Sequence, residues 1–167
     1  MAQTAIYLST AGMLLGYGVE TAGAQTGDPN VAPATYTNVQ GAKSISEISS
    51  EKEQIEVTPL SETEYKQYVG GLADPGGSWE IGFNESNALH TEWDAIVSAY
   101  ATAKASGLRM WFEVYHPSMQ KAFFVVGEPN ALGFGGAEVS SAYENTGRIT
   151  INEVIGWDTA IQPTDAQ

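Results

Sequence analysis

The chain carries two histidines, His90 and His116, and no cysteine. Disulfides, thiolate metal sites and a cysteine nucleophile are thereby excluded together. His90 and Asp94 stand four residues apart, so on a helix they share one face and offer two ligands to a metal. Two ligands do not hold an ion, and a solvated helical pair is the simpler reading. The remaining chemistry rests with carboxylates. Glu51 with Glu53, and Glu62 with Glu64, are spaced to line one face of a strand, where their like charges repel. A water-facing surface tolerates that arrangement; a catalytic pair needs in addition a pocket that drives the two pKa values apart, and nothing in the sequence marks one. Gly133-Phe134-Gly135-Gly136 lacks the spacing of a phosphate-binding loop and has no lysine behind it, which leaves a tight turn or bulge. No serine sits in a nucleophile-elbow pattern. Asn84-Glu85-Ser86 spells a glycosylation acceptor that is read as chance. The residues therefore predict no catalytic group, no metal and no cofactor.

The elements that would position these side chains are mostly strands. Trp79, Ile81 and Phe83 alternate with Glu80, Gly82 and Asn84, as a half-buried strand requires. Two shorter strands precede it, over residues 43–48 and 54–58. Residues 59–77 read as a long polar loop, with turns at Gly70-Gly71 and at Asp74-Pro75-Gly76-Gly77. A loop of that length inside a compact domain is functional, disordered or a contact surface. One helix is predicted over residues 87–106: Ser86 or Asn87 caps its start, Glu92 and Asp94 lie toward the positive end of its dipole, and Gly107 stops it. Leu89, Trp93, Ile96, Val97 and Tyr100 recur at helical spacing, so this stripe must lie on a sheet. Next, Leu108, Met110, Phe112 and Val114 alternate with Arg109, Trp111, Glu113 and Tyr115, the second set suiting solvent or a subunit interface. A turn at His116-Pro117-Ser118-Met119 leads to Phe123-Phe124-Val125-Val126, continuous enough to be buried on both faces. Further strands are expected over 131–141 and 148–157. The fold class that follows is mainly β (α+β): an antiparallel β-sandwich or partly open barrel with one packed α-helix, a long β-hairpin-type loop and an extended N-terminal arm.

Its 167 residues suit one domain, divided as an N-terminal arm and first strand region (1–40), a β-sandwich (41–157) and a flexible C-terminal tail (158–167). Residues 1–24 are not read as a secretory signal. No Lys or Arg precedes Met13-Leu14-Leu15, and Gly12, Gly16, Gly18 and Glu20 break the apolar run. No stretch is long enough to span a bilayer as a helix. Residues 16–33, dense in Gly, Ala, Thr and Pro, read as an extended arm with little core of its own. The charge is lopsided: 20 Asp plus Glu against 7 Lys plus Arg, net -13. Such a chain lacks the cations that bind nucleic acid by counterion release. It can still act on DNA by repelling it.

The order Ile55-Glu56-Val57-Thr58, a polar stretch, a segment from Tyr65 to Gly77, then an alternating strand ending on Phe83-Asn84 resembles the major tail protein (tail tube protein) family of long-tailed, non-contractile bacteriophages. The positions that carry the likeness are Glu56, Val57, Thr58, Tyr65, Tyr68, Gly70, Gly71, Asp74, Gly76 and Gly77, within residues 37–156. Pro75, inserted in the Asp-Gly turn, departs from the pattern. The resemblance implies a structural subunit, made in the host cytoplasm and built into the virion tail as stacked rings, hexameric, that enclose a conduit for DNA. Implied partners are other copies of the chain, a tape-measure protein, a tail terminator and a baseplate or distal tail protein; DNA passes without specific binding, and no membrane is entered. Pro59, Leu60, Tyr65, Tyr68, Gly70, Gly71 and Asp74 would form an inter-subunit loop. Glu51, Glu53, Glu80 and Glu113 are candidates for a solvated, lumen-facing row.

Two other classes compete. A surface or secreted β-sandwich binding module would use Trp111, Tyr115 and Trp157 as stacking platforms, and a hydrolase would need two carboxylates converging in a pocket.

Overall fold

The computed structural model describes residues 7–165. Within them the chain forms β1 (Leu14–Val19), β2 (Thr37–Asn38), β3 (Ala42–Ile45), β4 (Lys52–Glu56), β5 (Tyr68–Ala73), β6 (Ser78–Asn84), α1 (Asn87–Ala105), β7 (Met110–Tyr115), β8 (Lys121–Pro129) and β9 (Glu144–Thr159). Seven strands pair antiparallel in the order β2-β1-β7-β8-β9-β6-β3, while β4 and β5 pair only with each other. The architecture is mainly β with one helix, as the alternation of apolar residues predicts. The large sheet does not close into a barrel, so β2 and β3 remain its edges.

Helix α1 starts where Ser86 Oγ accepts the Leu89 backbone N–H at 3.1 Å, and it ends where Gly107 takes a left-handed φ of 72°. Glu92 lies beyond the first turn, and its carboxylate accepts the Gln40 backbone N–H at 2.7 Å, tying the helix to the loop after β2. Leu89, Trp93 and Ile96 are buried against Ile81, Phe83, Phe112, Val125 and Ile149 of the sheet. Trp93 meets Phe83 edge-on at 5.8 Å. Its indole N–H also donates to the Asn130 carbonyl at 2.7 Å, so the largest core residue leaves no polar group unpaired.

The other face of the sheet is covered by irregular chain. Residues 16–33, expected as an arm without core, begin inside the sheet: β1 lies between β2 and β7, and Leu15 is buried. Its glycines are not flexible links. A Cβ on Gly16 would stand 2.9 Å from Pro163 Cγ, and one on Gly18 2.9 Å from Pro33 Cβ, so both positions stay bare to let distant chain close down on the sheet.

The C-terminal residues also differ from the loose tail expected of them. The Ala160 N–H donates to the Gln120 carbonyl at 3.0 Å, Thr164 N–H to Tyr36 O at 3.0 Å, and Asn38 N–H to Thr164 O at 2.7 Å. Ala160 and Ile161 pack with Tyr36, Trp111, Ala122 and Phe124 in a second small core. Up to Asp165 this segment is therefore a docked strap. Two further expectations fail. Residues 131–141 form no strand, because Gly133, Gly135 and Gly136 give a sheet no side chains to pack. Gly70 and Gly71 sit inside β5 rather than at turns, so the long loop is in large part a β-hairpin.

Candidate assembly surface

The hairpin of β4 and β5 stands off the body. Every residue of β4 is exposed, and in β5 only Gly71 is partly covered. Register pairs Ile55 with Val69 and Glu56 with Tyr68. A Cβ placed on Gly71 would meet Ile55 Cδ1 at 3.2 Å and Glu53 Cβ at 3.3 Å, which puts Glu53 and Ile55 on one face. Val57 and Val69 follow by the two-residue period of a strand. This hairpin therefore presents an apolar face, with Glu53 beside it, to solvent. Two strands without a covering layer are marginal in water, and such a face calls for a partner.

Of the expected contact residues, Pro59, Leu60 and Tyr65 lie in the exposed connection between the two strands, and Tyr68, Gly70 and Gly71 in β5. Glu62 accepts the Thr63 and Glu64 backbone N–H groups at 3.0 and 2.9 Å, folding the tip into a turn. These bonds, with Glu64 first, hold its carboxyl below the ordinary range. Asp74 Oδ1 accepts the Gly76 N–H at 2.9 Å, so the predicted turn forms with Pro75 inside it. Val69 and Leu72 were not singled out in the sequence, and Ile55 and Val57 only as part of the family likeness; their alternation with Gln54 and Glu56 was the available signal for an apolar face.

The acidic candidates do not form one row. Glu51 and Glu53 are exposed on the hairpin side. Glu80 is half-exposed and pairs with Arg148 Nη1 at 2.5 Å across β6 and β9. Glu113 is 0% exposed, a correction to its expected place at a solvated surface. The strap explains it: Glu113 Oε1 accepts the Ile161 N–H at 2.9 Å, while Oε2 is buried without a partner. Burial pushes this carboxyl up to about 7, against the Ile161 bond, which works downward.

Of the residues offered to rival chemistries, Trp157 stays exposed, while Trp111, His90 and His116 are otherwise engaged. Trp111 donates its indole N–H to Glu20 at 2.9 Å and is no open platform. His90 pairs with Glu85 at 2.6 Å instead of with Asp94. His116 is buried, with Nε2 2.7 Å from Ser9 O and Nδ1 accepting the Ser118 N–H. Among the described residues no His, Asp and Glu cluster could hold a metal ion, and no helix is long and apolar enough to cross a membrane.

Residues 22–112, more than half of the chain, match the family model described as phage tail tube, TTP, lambda-like. The chain belongs to the lambda-like phage tail tube protein family. It is accordingly a structural protein of the virion tail. The match spans β2 to the start of β7 and includes the whole exposed hairpin. No curated protein matches this tail protein. Among solved structures, a chain of the anti-feeding prophage (AFP) baseplate, from a 6-fold symmetrised cryo-EM structure, shares its fold with a TM-score of 0.54 at 12% identity, over 92% of this chain and 95% of that one.

Proposed function

We propose that this tail protein polymerises as stacked hexameric rings into the hollow tube of a long, non-contractile phage tail, through which DNA passes without specific binding. The observation that carries the reading is the exposed hairpin with its apolar face, on a chain of the tail tube family. Within a ring, the open edge of β3 pairs with a strand of the neighbouring copy and removes an exposed edge that a lone sheet presents, the β2 edge being already covered by the strap at Thr164. The 6-fold symmetry of the structurally similar baseplate supports the ring number. Between rings, the hairpin docks on the next copy. The excess of carboxylates keeps a polyanion from adhering to the wall. A tape-measure protein inside the tube, and a terminator and a baseplate or distal tail protein at its ends, complete the partners. The role is non-enzymatic.

Deleting residues 51–77 and rejoining the ends with a Gly-Ser link tests the reading. The segment contributes nothing to either buried core, so the monomer should keep its near-UV circular dichroism. Negative-stain electron microscopy should show hollow tubes for the intact chain and no long tubes for the variant. Tubes of full length without the hairpin would refute the docking role, and an intact chain that forms neither rings nor tubes would refute the assembly.

A further inference from the structure

Among the described residues, one apolar surface of the body is left open. The core between sheet and helix runs out at one end into a trough of about 350 Å³, lined in part by Met13, Ile48, Trp79, Val114, Phe123 and Trp157. A second hollow of about 200 Å³ shares Met13, Val114 and Trp157 with it and ends at Lys121. Trp157 stands over the junction, braced edge-on against Phe123 at 5.4 Å, and 58% of it is exposed. A tryptophan held rigid by its neighbour and still open to water is the residue type that dominates interface energies.

Charge narrows the occupant. Lys43 pairs with Glu144, Lys66 with Glu56, Arg109 with Glu20 and Glu153, and Arg148 with Glu80. Lys121, like Lys52 and Lys104, forms no ion pair among the described residues, and of these three it alone lines the trough, giving its far end an unmatched positive charge. The hairpin offers the complement. It carries Glu51, Glu53, Glu56, Glu62, Glu64 and Asp74 against Lys52 and Lys66, and its apolar face bears Glu53 next to Ile55. Its own trough does not receive it, because β4 is exposed throughout.

The geometry points to the trough as the seat of the hairpin of a second copy, with Ile55, Val57 and Val69 lying over Trp157 and Glu53 reaching Lys121. This rests on the tail tube reading and supplies the receiving half of its ring-to-ring contact. The hairpin and the trough are different surfaces of one chain, so the contact is heterologous: each copy that fills a trough presents another, and the assembly grows along an axis instead of closing as a dimer.

The test replaces Trp157 by the photo-cross-linking residue p-benzoylphenylalanine in an equal mixture of ¹⁵N-labelled and unlabelled full-length protein. Cross-links should join this position to residues 51–77 of a differently labelled copy. Independently, Lys121→Glu should raise the concentration at which tubes appear about fivefold, as the loss of roughly 1 kcal/mol predicts, and Glu53→Lys in the same chain should restore it. Tubes that form with Trp157 cross-linked to any other segment, or a Lys121→Glu variant that assembles like the unaltered chain, would overturn the seating and leave the tube reading intact. A chain that stays monomeric and uncross-linked at every concentration would overturn both.

Discussion

Glu20 and Glu113 lie on the strap-covered side of the sheet, yet their carboxyls are driven in opposite directions. Burial works to raise the Glu20 pKa, but the Trp111 indole, the Arg109 backbone N–H and the Arg109 guanidinium outweigh it and hold it below the ordinary value. Glu113 has one backbone N–H to set against its burial and stays protonated up to about pH 7. Their linkage to folding differs in sign. Glu20 contributes stability that is present above the usual carboxylate range and is lost as pH falls. The folded state holds the Glu113 proton between its ordinary value of 4.5 and about 7, where the unfolded chain has released it, so Glu113 lowers stability as pH rises through that window. Replacing Glu113 by Gln keeps the acceptor for Ile161 and removes the titration. Chemical denaturation should find the variant level with the parent at pH 4.5 and more stable at pH 8, by on the order of 2 kcal/mol. Equal differences at both pH values would show that Glu113 does not titrate in that window.

At the scale of elements, the sheet and helix are held by local signals and by the cores on the two faces of the sheet, whereas the hairpin is held by itself. Helix α1 depends on its start: without the Ser86 hydroxyl the Leu89 N–H loses its acceptor. Ser86→Ala should cost about 1 kcal/mol in urea unfolding with the m-value unchanged. A loss within error would mean that water replaces the cap at no cost. The same change should leave assembly untouched, because the cap lies outside both hairpin and trough. The capped helix, its apolar stripe and the alternating β6 were legible in the sequence because each is written within a few residues. β5 was not. Its Gly70-Gly71 pair has the composition of a turn, and only pairing with β4 makes it a strand.

For the whole molecule, a net charge of -13 on each copy opposes association. Contacts such as Glu53 with Lys121 are short-ranged, while the mutual repulsion of acidic subunits acts over the Debye length of about 10 Å at 0.1 M salt. Raising the ionic strength from about 0.05 to about 0.5 M should therefore promote tube growth, seen as increased light scattering at fixed protein concentration. Growth that declines with salt would make attraction between opposite charges the dominant force. The same charge predicts no retention of duplex DNA by the purified protein in a mobility shift at physiological salt.

The sequence by itself determined the fold class, the helix with its cap and stop, the alternating strands, the absence of thiol chemistry, the acidic balance and the family likeness. These are properties of composition and of short periods along the chain. Tertiary structure decided what depends on residues far apart: that Gly16 and Gly18 are bare to admit Pro163 and Pro33, that a docked strap buries Glu113, and that a hairpin with an apolar face stands free of the body. In the first two cases the partner is distant in sequence, and in the third the body offers none. A glycine that yields room and a glycine that bends the chain are the same letter, and only the packed molecule distinguishes them.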